Sequence, residues 1–262
     1  MLDELYAGSI ADAAARRELV SLQQIEAEAL AQSPALNALE WLAPAGQIKV
    51  LAEVKRASPS RGQLAEIPDP AVLAEIYANN GASAISVLTE ERRFKGSLAD
   101  LTAVRAKVSV PLLRKDFIAN EYQILEARAA GADIVLLIVA GLSLKDITRL
   151  KTFVEDLGMT AFVETHSSDE LKLAIDIDTK VVGVNARDLS TFETDRNLFG
   201  SLVELIPAGI IKIAESAVRN ADDVAHYRSS GADVVLVGEA LVTNDPATML
   251  KSFLSAGQSL GN

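Results

Sequence analysis

The sequence predicts a closed (β/α)8 barrel carrying a helical extension at its N-terminus, and three observations lead there. From residue 48 onward, eight short runs rich in Val, Ile and Leu recur with starts 21 to 36 positions apart, the length of a strand, a helix and two loops. The runs are apolar on both faces, as parallel strands covered by helices should be. Gly81-Ala82, Gly131-Ala132 and Gly231-Ala232 each place a helix-ending glycine just before a run, at separations of 50 and 100 residues, whole multiples of a βα unit of about 25. At 262 residues the chain has the length of such a barrel, which takes roughly 250. A doubly wound sheet usually has fewer strands, and no G-x-G-x-x-G motif is present.

In chain order, residues 1–47 form the extension. Leu2, Tyr6 and Ile10, then Leu19, Leu22, Ile25 and Leu30, recur at helical spacing, and Pro34, Pro44 and Gly46 punctuate its end. The sole tryptophan, Trp41, is expected to anchor extension to barrel. Residues 48–262 form the barrel, the whole chain being one domain. Its strands are expected at Ile48–Lys55, Ala84–Thr89, Pro111–Lys115, Ile134–Ala140, Thr160–Glu164, Val181–Asn185, Ile210–Glu215 and Val234–Gly238.

Composition excludes several functions. Without cysteine there is no disulfide scaffold, zinc ribbon or cysteine nucleophile, and two histidines make a poor metal cage. A net charge of −11 disfavours nucleic acid and anionic lipid as partners. No signal peptide is visible at the acidic N-terminus, and the longest apolar run, Ile134 to Leu142, is far short of the ~18 residues of a membrane span. The expectation is a cytoplasmic monomer that acts on a small molecule.

In a barrel of this kind the active site lies at the C-terminal strand ends, on inward side chains, and the period-two alternation of strands identifies these. The inward series run Leu51, Glu53, Lys55; Leu113, Lys115, with Phe117 beyond; Phe162, Glu164; Val181, Gly183, Asn185, then Arg187; Ile211, Ile213, Glu215; and Leu236, Gly238. Apart from the last, which ends on Gly238, each is apolar or small low down and polar at the top. One Lys or Glu at a strand end is ordinarily a solvated rim charge. Glu53, Lys55, Lys115, Glu164, Asn185 and Glu215 converging from five strands are not, because burying two lysines with three carboxylates is costly as mere packing. A small anionic ligand that needs proton transfer gives all six a purpose.

The loops after the seventh and eighth strands, Ser216-Ala217 and Gly238-Glu239-Ala240, suit a phosphate held by backbone N–H groups. Ser58-Pro59-Ser60-Arg61-Gly62 after the first strand suits an anion or a mobile lid. His166 reads as a polar loop residue and His226, beside Asp222 and Asp223, as a surface one.

Six segments carry a resemblance. They are Ala52-Glu53-Val54-Lys55-Arg56-Ala57-Ser58-Pro59-Ser60, Thr89-Glu90-Glu91-Arg92-Arg93-Phe94-Lys95-Gly96-Ser97, Leu113-Arg114-Lys115-Asp116-Phe117, Val163-Glu164, Gly183-Val184-Asn185-Ala186-Arg187-Asp188-Leu189 and Ala214-Glu215-Ser216. In that order they resemble the indole-3-glycerol-phosphate synthase family of tryptophan biosynthesis, in its monofunctional form, over essentially the whole chain.

The resemblance implies a cofactor-free, metal-free reaction on 1-(2-carboxyphenylamino)-1-deoxyribulose 5-phosphate: ring closure onto the ketone, loss of CO2, then loss of water. It implies Lys115 as the general acid of ring closure and Glu164 as the general base of dehydration. It further implies that Lys55 binds anionic groups and can assist water loss, the division of the acid steps between Lys55 and Lys115 staying open, and that Glu53, Asn185 and Glu215 hold hydroxyls and orient the lysines. Arg187 and Ser58 meet the carboxylate, Phe94 and Phe117 the aromatic ring, and Ser216, Ala217, Gly238 and Glu239 the phosphate. Two cations in one mouth would lower a lysine pKa towards neutrality. The chain departs from the family at Ala217, where relatives carry glycine, and at Glu239, where many carry Ser or Thr. Ala217 can donate its N–H with a negative φ, and Glu239 can do so with its carboxylate turned away. Two alternatives stay open: another phosphosugar barrel, an isomerase or a Schiff-base aldolase using Lys55 or Lys115, and a catalytically silent barrel that binds a phosphorylated metabolite.

Overall fold

The computed structural model describes residues 1–188 and 191–258; Leu189 of the fifth segment and the expected barrel limit at residue 262 lie outside them. Eight parallel strands close into a barrel in chain order. They are β1 Lys49–Val54, β2 Ala84–Leu88, β3 Leu112–Lys115, β4 Ile134–Ile138, β5 Thr160–Thr165, β6 Val181–Asn185, β7 Ile211–Glu215 and β8 Val234–Val237. The β8–β1 pairing, with Val234 opposite Lys49 and Leu236 opposite Leu51, completes the ring. One strand end is corrected. β4 stops at Ile138, and Val139–Gly141 forms a 3-10 turn that brings Gly141 so close to the Tyr6 ring that no Cβ would fit.

The alternation sorts side chains as expected. Leu51, Leu113, Phe162, Val181, Ile211, Ile213 and Leu236 fill the barrel interior, and Val50, Ala52, Val54, Ile85, Val135 and Val182 pack outward beneath the helices. The connecting helices start where a side chain satisfies an orphan N–H: Ser97, Asn120, Ser143, Ser167 and Asn220 each cap one. Gly81, Gly131 and Gly231 close the preceding turns with positive φ, so the repeated dipeptide marks a real structural repeat.

Before the barrel come α1 Leu2–Leu19, α2 Leu22–Ala31 and α3 Ala38–Leu42. Fully buried Ala38 and Leu42 join the interior cluster beside the strand starts. Trp41 is corrected: it is 40% exposed, and Leu42 is the buried anchor beside it. α1 crosses the opposite, C-terminal mouth, where Leu5 and Tyr6 meet Phe117 and Ile138 in one cluster. Among the described residues no helix is long and apolar enough to cross a membrane.

Candidate active site

A cavity of about 810 Å³ opens at the C-terminal strand ends. All fourteen expected residues line it: Glu53, Lys55, Ser58, Phe94, Lys115, Phe117, Glu164, Asn185, Arg187, Glu215, Ser216, Ala217, Gly238 and Glu239. At its floor Lys115 Nζ lies 3.1 Å from Glu164 Oε2 and 2.5 Å from Glu215 Oε2. Asn185 Nδ2 donates to Glu164 Oε1 at 3.1 Å. The Asn185 carbonyl accepts from the Arg187 backbone N–H at 3.0 Å and from Ser216 Oγ at 2.8 Å, which fixes the amide's orientation. Register explains the grouping, since Asn185 pairs with Glu215 and Glu164 with Gly183 on neighbouring strands. Gly183 is required: a Cβ there would sit 2.3 Å from Glu215 Oε1 and 2.6 Å from the Phe162 ring.

Across the floor Lys55 Nζ pairs with Glu53 Oε1 at 2.7 Å, and Ser86 Oγ donates to Glu53 Oε2 at 3.3 Å. Gly238 leaves room for this pair, because a Cβ there would lie 2.5 Å from Glu53 Oε1 and 3.1 Å from Lys55 Nζ. Phe94 and Phe117 stand 6.2 Å apart, and Tyr6 meets Phe117 edge-on at 5.6 Å. The motif residues around them hold the frame. Buried Glu90 accepts the backbone N–H groups of Arg92, Arg93 and Phe94. Asp116 accepts from Phe117 N, Ser9 Oγ, Thr89 Oγ1 and Arg114.

The electrostatics overturn one expectation. Burial by itself pulls the Lys115 pKa down, but the carboxylates of Glu164, Glu215 and Glu53 outweigh it and raise the ammonium above the ordinary lysine range. Two buried carboxylates sharing Lys115 repel each other, so their pKa values diverge. Burial favours protonation of both. Lys115, His166 and Asn185 nevertheless hold Glu164 well below the usual carboxylate range. Burial and the Glu164 charge push Glu215 up to about 8.

At the far wall the φ of Ala217, which the sequence leaves open, takes the costlier sign. Ala217 has φ +54° and follows Ser216 at φ +67°, so the turn after β7 is left-handed at both positions, not at negative φ. Glu239 does turn its carboxylate aside, with Oε1 3.1 Å from Arg61 Nη2. Arg187 bonds the Phe192 carbonyl at 3.0 Å; burial, with Arg61 and Arg219 nearby, lowers its pKa against the pull of Glu239.

Sequence reasoning missed three contributions. Met1 and, from α1, Leu2 and Leu5 line the cavity, and only the long-range fold brings them there. Arg219 lines it too, from a loop with no motif. His166, read as a polar loop residue, has Nε2 3.3 Å from Glu164 Oε1 and Nδ1 3.2 Å from Glu170 Oε2; its spacing of two from Glu164 was the available signal. His226, read as a surface residue, is likewise half-buried, edge-on to Tyr227 at 5.7 Å.

The family model for indole-3-glycerol phosphate synthase matches residues 2–253. The chain belongs to that family. An indole-3-glycerol phosphate synthase from Leifsonia xyli is 63% identical over 253 residues, covering 97% of each chain. One from an Arthrobacter species is 52% identical, covering 98% of this chain and 96% of the relative. Family membership makes the chain an enzyme of tryptophan biosynthesis, a carboxy-lyase. Among solved structures, 3-hexulose-6-phosphate synthase from Salmonella typhimurium superposes with TM-score 0.62 at 15% identity over 80% of this chain and 98% of its own. N-acetylmannosamine-6-phosphate 2-epimerase from Clostridium perfringens gives 0.62 at 15% over 86% and 99%. At such identity these neighbours speak to the barrel alone.

Proposed function

We propose that the cavity closes the indole ring of 1-(2-carboxyphenylamino)-1-deoxyribulose 5-phosphate, with Lys115 as the acid that protonates the ketone oxygen. The observation that carries this reading is the Lys115 ammonium seated between Glu164 at 3.1 Å and Glu215 at 2.5 Å. It enters the reaction protonated, and the alkoxide forming on ring closure is basic enough to take its proton. A Schiff-base mechanism needs the neutral amine, which these carboxylates oppose.

After CO2 leaves, Glu164, held ionised, removes the carbon-bound proton while a lysine, Lys55, assists departure of the hydroxyl as water. Two protons are donated and one is abstracted, so each turnover takes up one proton along with the loss of CO2 and water. Glu53 holds Lys55, and Asn185 and Glu215 set the geometry of Glu164 and Lys115. Ser58 and Arg187 receive the carboxylate, and Phe94 and Phe117 flank the ring. Backbone N–H groups of Ser216, Ala217, Gly238 and Glu239 receive the phosphate. Residues 1–47 and 48–262 act as one domain. The enzyme is read as a cytoplasmic monomer that works without metal or other cofactor and without nucleic-acid or membrane partners, in keeping with its net charge of −11.

The test is appearance of indole absorbance and fluorescence from purified protein and this substrate with no added metal. Lys115→Ala should lose about 10²–10⁴-fold in kcat while the substrate still binds. Turnover within threefold of wild type would overturn the assignment.

A further inference from the structure

We infer that His166 is a positioning residue for Glu164, clamped between that carboxylate and Glu170 so that one oxygen of Glu164 is tied and the other is left for the reaction. This rests on the reading of Glu164 as the base.

The two oxygens of Glu164 face different groups. Oε1 receives Asn185 Nδ2 at 3.1 Å and lies 3.3 Å from His166 Nε2. Oε2 faces Lys115 Nζ at 3.1 Å. Glu164 and His166 are two residues apart at the end of β5, so the strand's alternation sends both to the mouth. Nε2 is buried and has no aligned hydrogen bond of its own, which leaves the Glu164 carboxylate as its ionic partner. The other ring nitrogen is held from behind, where Glu170 Oε2 lies 3.2 Å from Nδ1 and also accepts the His166 backbone N–H at 2.8 Å.

Helix capping accounts for only part of this. Glu170 is the third residue of the helix Ser168–Asp176, whose cap is Ser167, and a glutamate there ordinarily reaches back to a backbone N–H. That need is met by the bond to His166 N and does not require the ring contact. The imidazole joins the cap to the buried carboxylate. Between two carboxylates it is an imidazolium at neutral pH, raised to about 10 by Glu164 and Glu170 against the effect of burial. Its charge adds to that of Lys115 in holding Glu164 ionised. The charged and titratable groups facing Glu164 are therefore Lys115 from β3, Glu215 from β7, Tyr6 from α1 and His166 itself.

The experiment compares wild type, His166→Gln, His166→Asn, Glu170→Gln and Glu164→Gln by steady-state kinetics across pH, using the carboxyphenylamino-deoxyribulose phosphate substrate. Each histidine variant should lose about tenfold or more in kcat, the scale of a misplaced catalytic group, with KM within threefold. The acid limb of the pH profile should move up towards neutrality. Glu170→Gln should move both in the same sense by less. With two histidines in the chain, nitrogen-detected NMR of the imidazoles gives an answer that needs no variant to fold: one ring should remain doubly protonated at pH 8. An unmoved acid limb, or a His166 ring that loses its second proton below pH 7, overturns the inference. Loss of turnover in Glu164→Gln alongside intact histidine variants overturns it while leaving the base reading standing. Full turnover in Glu164→Gln overturns both.

Discussion

Lys115 and Glu215 stand 100 positions apart in the chain, yet the Lys115 Nζ to Glu215 Oε2 distance is 2.5 Å. The contact closes a triangle with Glu164 in which one ammonium serves two buried carboxylates. Burial and the Glu164 charge raise Glu215 to about 8, while Lys115, His166 and Asn185 hold Glu164 ionised, so Glu215 is the carboxyl that favours its proton at neutral pH.

That division has a measurable consequence for stability. Glu215 is raised to about 8 from an unfolded value of about 4.3, so between those limits the folded state binds the extra proton. Its contribution is present below about pH 4 and is lost as pH rises through 8. Glu215→Gln cannot titrate. It should melt close to wild type at pH 5 and above it at pH 9, by about 2–4 °C per kcal/mol in a chain near this size. An equal difference in Tm at both pH values would count against a protonated Glu215.

How much of this was legible in the sequence depends on the range of the interaction. Strand period carried the inward residues correctly, because Leu51-x-Glu53-x-Lys55 and its counterparts need no knowledge of partners. It could not carry the sign of the Lys115 shift. Two lysines in one mouth suggest mutual repulsion, but Lys55 is paired with Glu53, and carboxylates from β5 and β7 surround Lys115. The φ of Ala217 was only half legible, since glycine at this position in relatives points to a positive φ while the alanine here points to a negative one. Leu2 reads as part of a helix face with Tyr6 and Ile10, and only the packing of α1 on Phe117 and Ile138 turns it, with Leu5, towards the cavity.

Ala217→Gly should therefore act on stability rather than on binding. The left-handed turn at φ +54° is already formed in the free protein, so its strain, about 1 kcal/mol for alanine, is set against folding. Glycine relieves that strain but adds unfolded-state freedom of about 0.4–1 kcal/mol. The expected outcome is a Tm equal to wild type or slightly higher and a KM for the phosphorylated substrate within threefold. A tenfold fall in KM, about 1.4 kcal/mol, would mean that the alanine turn must rearrange before phosphate enters.

Gly238→Ala should do the reverse. The new Cβ would lie 2.5 Å from Glu53 Oε1 and 3.1 Å from Lys55 Nζ and Cε. These are the ends of long side chains that can swing into the cavity, so the barrel should tolerate the methyl with a Tm within a few degrees of wild type. The 2.7 Å pair between Lys55 and Glu53 would not survive it. With Lys55 displaced from the position in which the proposed mechanism has it anchor anionic groups and assist water loss, kcat/KM should fall by about 10²-fold, the scale of a misplacement near 1 Å. Both KM and kcat should contribute. Lys55→Ala provides the reference, because two changes that act through the same ammonium should not add when combined. Independent, multiplying losses in the double variant would show that Gly238 is needed for the phosphate turn itself and not for the Glu53–Lys55 pair.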